Sequence, residues 1–253
     1  MKMVARKLRR TAVLAAGFAA GLAAAPRARA CGVSTADGLS SCSLAEHEEE
    51  TRPRWRLGAS ASYTSTAIDF GVIRSPETRG SVIASLAYQP TPRWTLQLAA
   101  GSTLGGHLVT PAGQYDFSAG PTAAIGASWR AVPGTKPFVI LTSNLSFSAA
   151  KTSATGAAPG APTTNVGYDA FDLRLGALVG TTLARVLSPY AVGRVFGGPV
   201  YWQYQGASVT GTDTHHYQLG AGVTVVAAGR VNVFAEGVPI GERSLAAGTA
   251  FAF

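Results

Sequence analysis

The chain has 253 residues, of which 47% are hydrophobic and only 13% are charged. The charged share is about half of the ~25% that is usual in soluble globular proteins. No apolar run reaches the ~18–20 residues that a membrane-spanning helix needs. This composition disfavours a large soluble helical enzyme, and the closed β-barrel is the membrane architecture that remains compatible with it.

The first 30 residues predict a signal peptide. They contain seven of the 21 basic residues, no acidic residue, an apolar stretch over 12–25 and the sequence Ala28-Arg29-Ala30. This combination is typical of an export signal and its cleavage site, and a short membrane-anchoring helix is the alternative. The other 223 residues hold 14 basic and 13 acidic side chains, so their net charge is +1. The formal charge of the whole chain, +8, therefore gives no reason to expect nucleic-acid binding.

Residues 31–53 are expected to form a flexible periplasmic lead-in, because Gly, Ser and Asp precede an acidic run at 46–50. Cys31 and Cys42 both lie in this segment. Exported compartments oxidise thiols, so we expect a disulfide between them. Lipidation of Cys31 is the alternative, although the preceding Ala28 and Arg29 depart from a bacterial lipobox. The acidic run is interpreted as a solvated linker rather than a metal site.

From residue 54 onward, apolar residues recur at every second position. In the first segment Trp55, Leu57 and Tyr63 share one face, whereas Arg56 and Ser60 share the other. The alternation predicts strands with one apolar and one polar face, each about the 9–11 residues that cross a bilayer. Nine further segments follow the same pattern: 82–88, 94–100, 115–129, 139–149, 171–179, 190–201, 216–225, 231–238 and 245–253. The prediction is an all-β fold, a ten-stranded antiparallel, up-and-down transmembrane β-barrel over 54–253.

The connections between these strands alternate in length. Short connections, most of them with Pro or Gly, lie at 89–93, 131–136, 181–188 and 228–229. Longer polar stretches lie between them, at 65–80, 103–114, 151–167 and 203–215. Outer-membrane barrels show this rhythm, with tight periplasmic turns and longer extracellular loops. The connection at 239–244 is short and breaks the rhythm once, and Gly197-Gly198-Pro199 predicts a bend within a strand.

Aromatic residues are expected to form two belts at the membrane surfaces, where amphipathic rings prefer to lie. If the first strand runs outward, one set falls at the periplasmic end: Trp55, Tyr88, Trp94, Trp129, Tyr190, Phe251 and Phe253. The other set falls at the outer end: Tyr63, Tyr115, Phe117, Phe147, Phe171, Tyr201, Trp202 and Tyr217.

The last strand carries a recognisable assembly signal. Leu245, Ala247, Phe251 and Phe253 place apolar residues at alternate positions before a terminal aromatic, and Thr249 is the one imperfect position. This pattern resembles the closing strand of bacterial outer-membrane proteins. The resemblance covers about 54–253 and implies the outer membrane, contact with its lipid and recognition by the barrel-assembly machinery. Small members of that class include OmpA/OmpX-type barrels, omptin proteases and channel-forming porins.

Polar residues of the other parity are expected to face the lumen. They are Arg56, Ser60, Ser62, Ser85, Thr95, Gln97, Asp172, Arg174, Gln218, Thr224, Asn232 and Glu236. Arg194 shares its parity with apolar neighbours, and its charge favours the lumen. In a barrel only slightly wider than eight strands, we expect Arg56, Arg174 and Arg194 to pair with Asp172 and Glu236 and to plug the lumen. A narrow charged constriction for solutes is the alternative.

Two weaker chemical hypotheses concern the outer rim. Asp213 and His215 resemble the Asp-x-His dyad of omptin proteases, in which the His activates a water that attacks the peptide bond. Those enzymes also need a facing pair of acids, and 103–114 supplies only His107. His107, His215 and His216 are the candidates for a metal site, without a fixed ligand spacing to support it. No enzyme activity, metal or cofactor is therefore predicted.

The function that the sequence favours is a structural or interaction role for a plugged monomeric barrel of the Gram-negative envelope. Passive small-solute passage through a porin-like channel is the second hypothesis, and surface proteolysis is the third. No nucleic-acid partner is expected. The ligand of the extracellular loops, if there is one, cannot be read from the sequence.

Overall fold

A computed structural model describes residues 33–34, 40–41, 54–71, 73–132, 136–155, 166–184, 186–204, 206–227 and 230–253. No helix in these ranges is long and apolar enough to cross a membrane. A small hairpin, β1 (Val33–Ser34) and β2 (Ser40–Ser41), lies beside three strands of the main sheet, β13, β14 and β15. The strands of that sheet are β3 (Trp55–Asp69), β4 (Arg74–Tyr88), β5 (Trp94–Thr110), β6 (Gly113–Phe117), β7 (Gly120–Val132), β8 (Phe138–Thr155), β9 (Val166–Gly180), β10 (Leu187–Gly197), β11 (Val200–Tyr204), β12 (Ala207–Asp213), β13 (Tyr217–Ala227), β14 (Val231–Gly241) and β15 (Arg243–Ala252).

The main sheet closes on itself as a ten-stranded antiparallel barrel. Its last strand, β15, pairs with β3 from Arg243 opposite Ser65 to Ala252 opposite Arg56. Three of the ten strand positions are each occupied by two shorter strands in line, namely β6 with β7, β10 with β11, and β12 with β13. Because the sheet is closed, the backbone N–H and C=O groups of every strand find hydrogen-bond partners, which the edge strands of an open sheet in lipid would lack. The predicted fold class is confirmed.

The barrel continues outward as strands where long loops were predicted. β3 extends to Asp69, β4 begins at Arg74, and a tight turn at 111–112 joins β5 to β6. These segments alternate between buried and exposed residues, so they form strands whose outer face meets water and whose inner face is covered. The expectation of loops at 65–80 and 103–114 is therefore wrong, because polar residues on one face of a strand were mistaken for a loop. Residues 156–165 lie outside the described ranges.

The outer part of the barrel has fewer strands than the rest. The β14–β15 hairpin turns at Glu242, and beyond it β12 pairs directly with β3. The closed ring at this level therefore has eight strands: β3, β4, β5, β6, β8, β9, β11 and β12. We call it the outer ring, and we call the ten-stranded part below it the membrane ring. Eight strands enclose a space that side chains can fill.

The exterior of the membrane ring is apolar between two aromatic belts. At the periplasmic end Trp55 packs on Tyr88 with ring centroids 4.6 Å apart, and at the outer end Phe147 packs on Phe171 at 4.8 Å. Between the belts, leucines such as Leu175 are exposed to the exterior. This band of apolar surface is the part of the barrel that lipid covers.

Four aromatic residues that were assigned to the belts lie inside the barrel instead: Tyr115, Phe117, Tyr190 and Trp202. The break at 118–119 explains two of them, because Tyr115 and Phe117 are buried whereas Ile125, at the same parity, is exposed. A break between two strands can shift the side-chain alternation by one residue, and such a shift moves every later side chain to the other face.

Leu175→Arg tests the lipid-facing surface. Leu175 is exposed on β9 midway between the belts, so an arginine there is expected to cost about 2–4 kcal/mol of folding free energy in a bilayer. The matched control is Val109→Arg, which changes an outward-facing apolar residue of the outer ring and should cost less than about 1 kcal/mol. Urea unfolding in lipid vesicles measures both, and equal losses would contradict the assigned membrane band.

Candidate functional site

The lumen of the barrel is the candidate functional site, because the polar side chains of the membrane ring converge there. The predicted lumenal residues lie on the inner face, either buried or half-buried. The buried ones are Arg56, Ser60, Thr95, Gln97, Arg194, Gln218, Thr224, Asn232 and Glu236, and the half-buried ones are Ser62, Ser85, Asp172 and Arg174.

Arg194 and Glu236 form an ion pair at the centre of the lumen. The distance between Arg194 Nη2 and Glu236 Oε1 is 2.8 Å, and both side chains are almost completely buried. Tyr190 Oη donates to Glu236 Oε2 at 3.0 Å, and Arg194 Nη1 donates to Gln218 Oε1 at 3.4 Å. A buried charge is costly unless it is paired and hydrogen-bonded. These contacts therefore allow both charged side chains to be buried in the barrel interior.

The ion pair continues into a second cluster through Glu242. Gln218 Nε2 donates to Glu242 Oε1 at 2.6 Å. Arg174 binds both oxygens of Glu242, at 3.0 Å from Nη1 and 3.2 Å from Nη2, and its Nε bonds to Asp172. We call the seven residues that are joined in this way the lumen network: Asp172, Arg174, Tyr190, Arg194, Gln218, Glu236 and Glu242.

Arg56 lies apart from the lumen network. Its Nη2 donates to Gln89 Oε1 at 3.2 Å near the periplasmic end. Ser62 lies six residues further along β3 and pairs with Ala246, which also pairs with Glu236. Ser62 and Glu236 therefore lie at the same height along the barrel axis. Six residues of strand span about 20 Å. The structure therefore brings together Asp172, Arg174, Arg194 and Glu236, but not Arg56.

An apolar cluster that the sequence analysis did not foresee fills the outer ring. Its members are Ile68, Phe70, Leu108, Tyr115, Phe117, Tyr168, Ala170, Val200 and Trp202, and we call it the aromatic cap. Trp202, 1% exposed, packs edge-on against Tyr115 with centroids 5.0 Å apart, and its Nε1 donates to Thr152 Oγ1 at 2.9 Å. The cap occupies the interior of the eight-stranded ring.

A cavity of about 130 Å³ with a mixed polar and apolar wall lies between the aromatic cap and the centre of the lumen network. Hydroxyl groups and charged groups share its wall: Ser62, Thr64, Arg79, Ser148, Asp172 and Arg174 are among the lining residues. Arg79 Nη1 donates to Ser148 Oγ at 3.0 Å, and its Nε lies 3.4 Å from Glu77 Oε1. The volume and the polar wall suit several water molecules or one small polar solute. We call this space the chamber.

The structure gives the two members of the proposed protease dyad different hydrogen-bond partners. Asp213 lies in the outer ring, where its Oδ1 accepts a hydrogen bond from Thr66 Oγ1 at 2.6 Å. Burial, and next the charge of Glu242, raise the pKa of Asp213 to about 7. His215 is hydrogen-bonded to Thr214 Oγ1 at 3.1 Å and lies beside the ring of Tyr217, at 6.4 Å between centroids. Each residue is engaged with a different partner, and these contacts give the proposed dyad no support.

The metal hypothesis gains no support from the geometry. Across the described ranges, no group of three or more His, Cys, Asp or Glu side chains could hold a metal ion. His107 is hydrogen-bonded to Thr78 Oγ1 on the outer surface, at 3.0 Å from Nδ1.

The assembly signal of the last strand lies within the described residues, whereas the two cysteines do not. Leu245, Ala247, Phe251 and Phe253 of the assembly signal are exposed on the lipid side of β15 and at its end. Cys31 and Cys42 lie outside the described residues, as do the signal peptide and most of the lead-in.

The comparisons with known proteins identify the architecture. No protein-family model and no curated protein sequence matches the chain. Among solved structures, the outer-membrane protease OmpT from Escherichia coli superposes with a TM-score of 0.53 at 10% identity, covering 82% of this chain and 99% of that one. The translocator domain of autotransporter NalP from Neisseria meningitidis superposes with a TM-score of 0.50 at 14% identity, covering 81% and 90%.

The fold is that of a bacterial outer-membrane β-barrel. At these identities the likeness shows the fold alone, and the different activities of the two proteins say nothing about the function of this outer-membrane barrel. Its apolar exterior and closed sheet agree with that location. What this barrel does must therefore be argued from its lumen.

Proposed function

We propose that this outer-membrane barrel is closed to solutes in its resting state and has a structural or interaction role. The observation that supports this best is the aromatic cap. Trp202, Tyr115, Tyr168 and Leu108 are each at most 1% exposed inside the outer ring. An eight-stranded ring leaves room for side chains and little more, so a cap of this size closes the outer end of the lumen.

The lumen network, which lies on the periplasmic side of the aromatic cap, supports the same proposal. Arg194 and Glu236 lie across the interior of the membrane ring with 2% and 0% of their side chains exposed. Charged groups that line a water-filled channel remain solvated, whereas these two are covered by protein. The plug therefore has two layers, an apolar one in the outer ring and a charged one in the membrane ring.

A narrow channel for small polar solutes is the second candidate function. The chamber supports it, because about 130 Å³ of polar space lies on the line that a solute would follow. Asp172 and Arg174, at 18% and 19% side-chain exposure, are less covered than the central ion pair. In this alternative the charged groups of the lumen network would select solutes rather than exclude them.

Solute uptake by proteoliposomes distinguishes the two functions. Vesicles that carry the refolded barrel are mixed at pH 5 with an isotonic solution of a small sugar or amino acid, and swelling is followed by light scattering. A closed barrel predicts swelling no faster than that of empty vesicles. Rapid swelling that slows with increasing solute size would establish the channel instead.

Export by the signal peptide, the disulfide of the lead-in, insertion by the assembly machinery and a monomeric state stay predictions. Non-reducing mass spectrometry of the mature chain is expected to show Cys31 and Cys42 oxidised together. A diacylated Cys31 would contradict this expectation and establish the lipoprotein alternative.

A further inference from the structure

The outer ring has one weak seam, the junction of β12 with β3. Only two residue pairs join these strands, Thr212 with Asp69 and Asp213 with Ile68. The other junctions of the outer ring have three or more pairs. The seam is short because the β14–β15 hairpin ends below it and leaves β12 and β3 to meet directly. One further backbone bond, from Thr214 N to Ala67 O at 2.9 Å, supports it.

Asp213 joins the two strands across this seam and points into the barrel. Thr66 of β3 donates to its Oδ1 at 2.6 Å. The charged and titratable groups that face it are Glu242 of the β14–β15 turn, Glu77 of β4, and Arg174 and Tyr168 of β9. Arg174 already binds Glu242 and Asp172, and Tyr168 donates to Glu77. An ionised Asp213 therefore faces two carboxylates and an arginine that is engaged with other acids.

The seam lies directly above the chamber. Thr66, the partner of Asp213, is two residues beyond Thr64, which lines the chamber wall. Two residues of strand are about 7 Å. Separation of β12 from β3 would therefore open a side window into the chamber that bypasses the aromatic cap.

We propose that the β12–β3 seam is a gate, closed while Asp213 carries a proton and open when its carboxyl ionises, through which small polar solutes enter the chamber. The proposal rests on the proposed function in one respect, that the barrel is otherwise closed. The pKa of Asp213, raised to about 7 in the closed ring by burial and then by Glu242, agrees with it. A carboxyl whose pKa is raised stabilises the closed form fully below its ordinary pKa near 4, and this stabilisation is lost as the pH rises through about 7.

Hydrogen exchange of the backbone amides at 66–69 and 212–214 tests the gate in the refolded full barrel. After correction for the intrinsic pH dependence, opening of the seam is expected to increase at least about tenfold between pH 5 and pH 8. Asp213→Asn keeps the size and hydrogen bonding of a protonated carboxyl, so its seam should stay protected at both values. Amides of the β4–β5 ladder in the membrane ring are the internal control and should not change.

A second readout tests whether the window reaches the chamber. Ser62→Cys places a thiol on the chamber wall, and Ser153→Cys places one on the exposed face of β8. Labelling of the Ser62→Cys variant by a small thiol reagent, divided by that of the Ser153→Cys variant at the same pH, should rise from pH 5 to pH 8. Adding Asp213→Asn should abolish this rise.

The outcomes separate the gate from the closed barrel. Equal seam protection at pH 5 and pH 8, or the same pH response in Asp213→Asn, would overturn the gate. A seam that loosens without any rise in the labelling of the Ser62→Cys variant would overturn the window. Fast solute uptake at pH 5, where the seam is closed, would instead contradict the closed barrel and leave the exchange result standing.

Discussion

Arg194→Ala is expected to lower the free energy of unfolding by about 3–5 kcal/mol, because it leaves Glu236 as an unpaired charge in the barrel interior. Urea unfolding of the refolded barrel in lipid vesicles measures this loss. Arg194→Lys should recover only part of it, since an ammonium group cannot reach both Glu236 and Gln218 as the planar guanidinium does.

The matched control for this prediction is Arg243→Ala. Arg243 is exposed at the start of β15, so its removal should change the stability by less than about 1 kcal/mol. Arg174→Ala should fall between the two, because the side chain of Arg174 is 19% exposed and water can partly replace it. If Arg194→Ala were as harmless as Arg243→Ala, the lumen network would not be a buried plug.

Trp202→Ala is expected to cost about 3–5 kcal/mol, the usual loss for a large aromatic residue in a packed core. It also removes the hydrogen bond to Thr152 and the packing against Tyr115 and Phe70. Because the indole fills the outer ring, its removal should in addition open the chamber at pH 5, so that a small thiol reagent labels a Ser62→Cys, Trp202→Ala variant faster than the Ser62→Cys variant.

Tyr201→Ala is the control for the cap, since Tyr201 is the neighbouring residue and faces outward with 42% of its surface exposed. It should lose less stability and leave the labelling of the chamber thiol at pH 5 unchanged. Trp202→Phe should keep the outer ring closed while losing the bond to Thr152. If Trp202→Ala did not speed the labelling of the chamber thiol, the cap would not seal the outer end of the lumen.

The exterior of the membrane ring could be predicted from the sequence because one physical rule governs it. Side chains of a strand alternate strictly, so Trp55, Leu57 and Leu175 had to face lipid once Arg56 and Arg174 were assigned to the lumen. The same rule failed for Tyr115 and Phe117. A break near 118 inverts the alternation, and nothing in the local sequence gives the size of such a shift.

The lumen could be predicted only in part for a related reason. Asp172, Arg174 and Glu236 follow the alternation, but Glu242 lies in a hairpin beside Gly241, whose φ is +83°, where parity has no meaning. Glu242 nevertheless joins Arg174 to Gln218. Long-range pairing decides such contacts, and the direct pairing of β12 with β3 likewise depends on the short β14–β15 hairpin rather than on either strand.

The protease hypothesis rests on a sequence spacing that the contacts of the two residues do not support. Asp213 and His215 have the Asp-x-His spacing, yet Asp213 belongs to β12 whereas His215 lies in the break before β13. The carboxyl is held at the seam by Thr66, and the imidazole lies beside Tyr217. The two groups therefore have different neighbours on either side of the break between β12 and β13.

Single-channel recording of the refolded parent barrel at pH 5 tests the closed lumen most directly. At this pH the β12–β3 seam is expected to be closed, so the aromatic cap and the lumen network alone decide the current. The closed barrel predicts no steady conductance above that of the lipid. Steady conductance in the parent, with Arg174→Ala changing only its ion selectivity, would contradict the closed barrel and show that the charges line a pore.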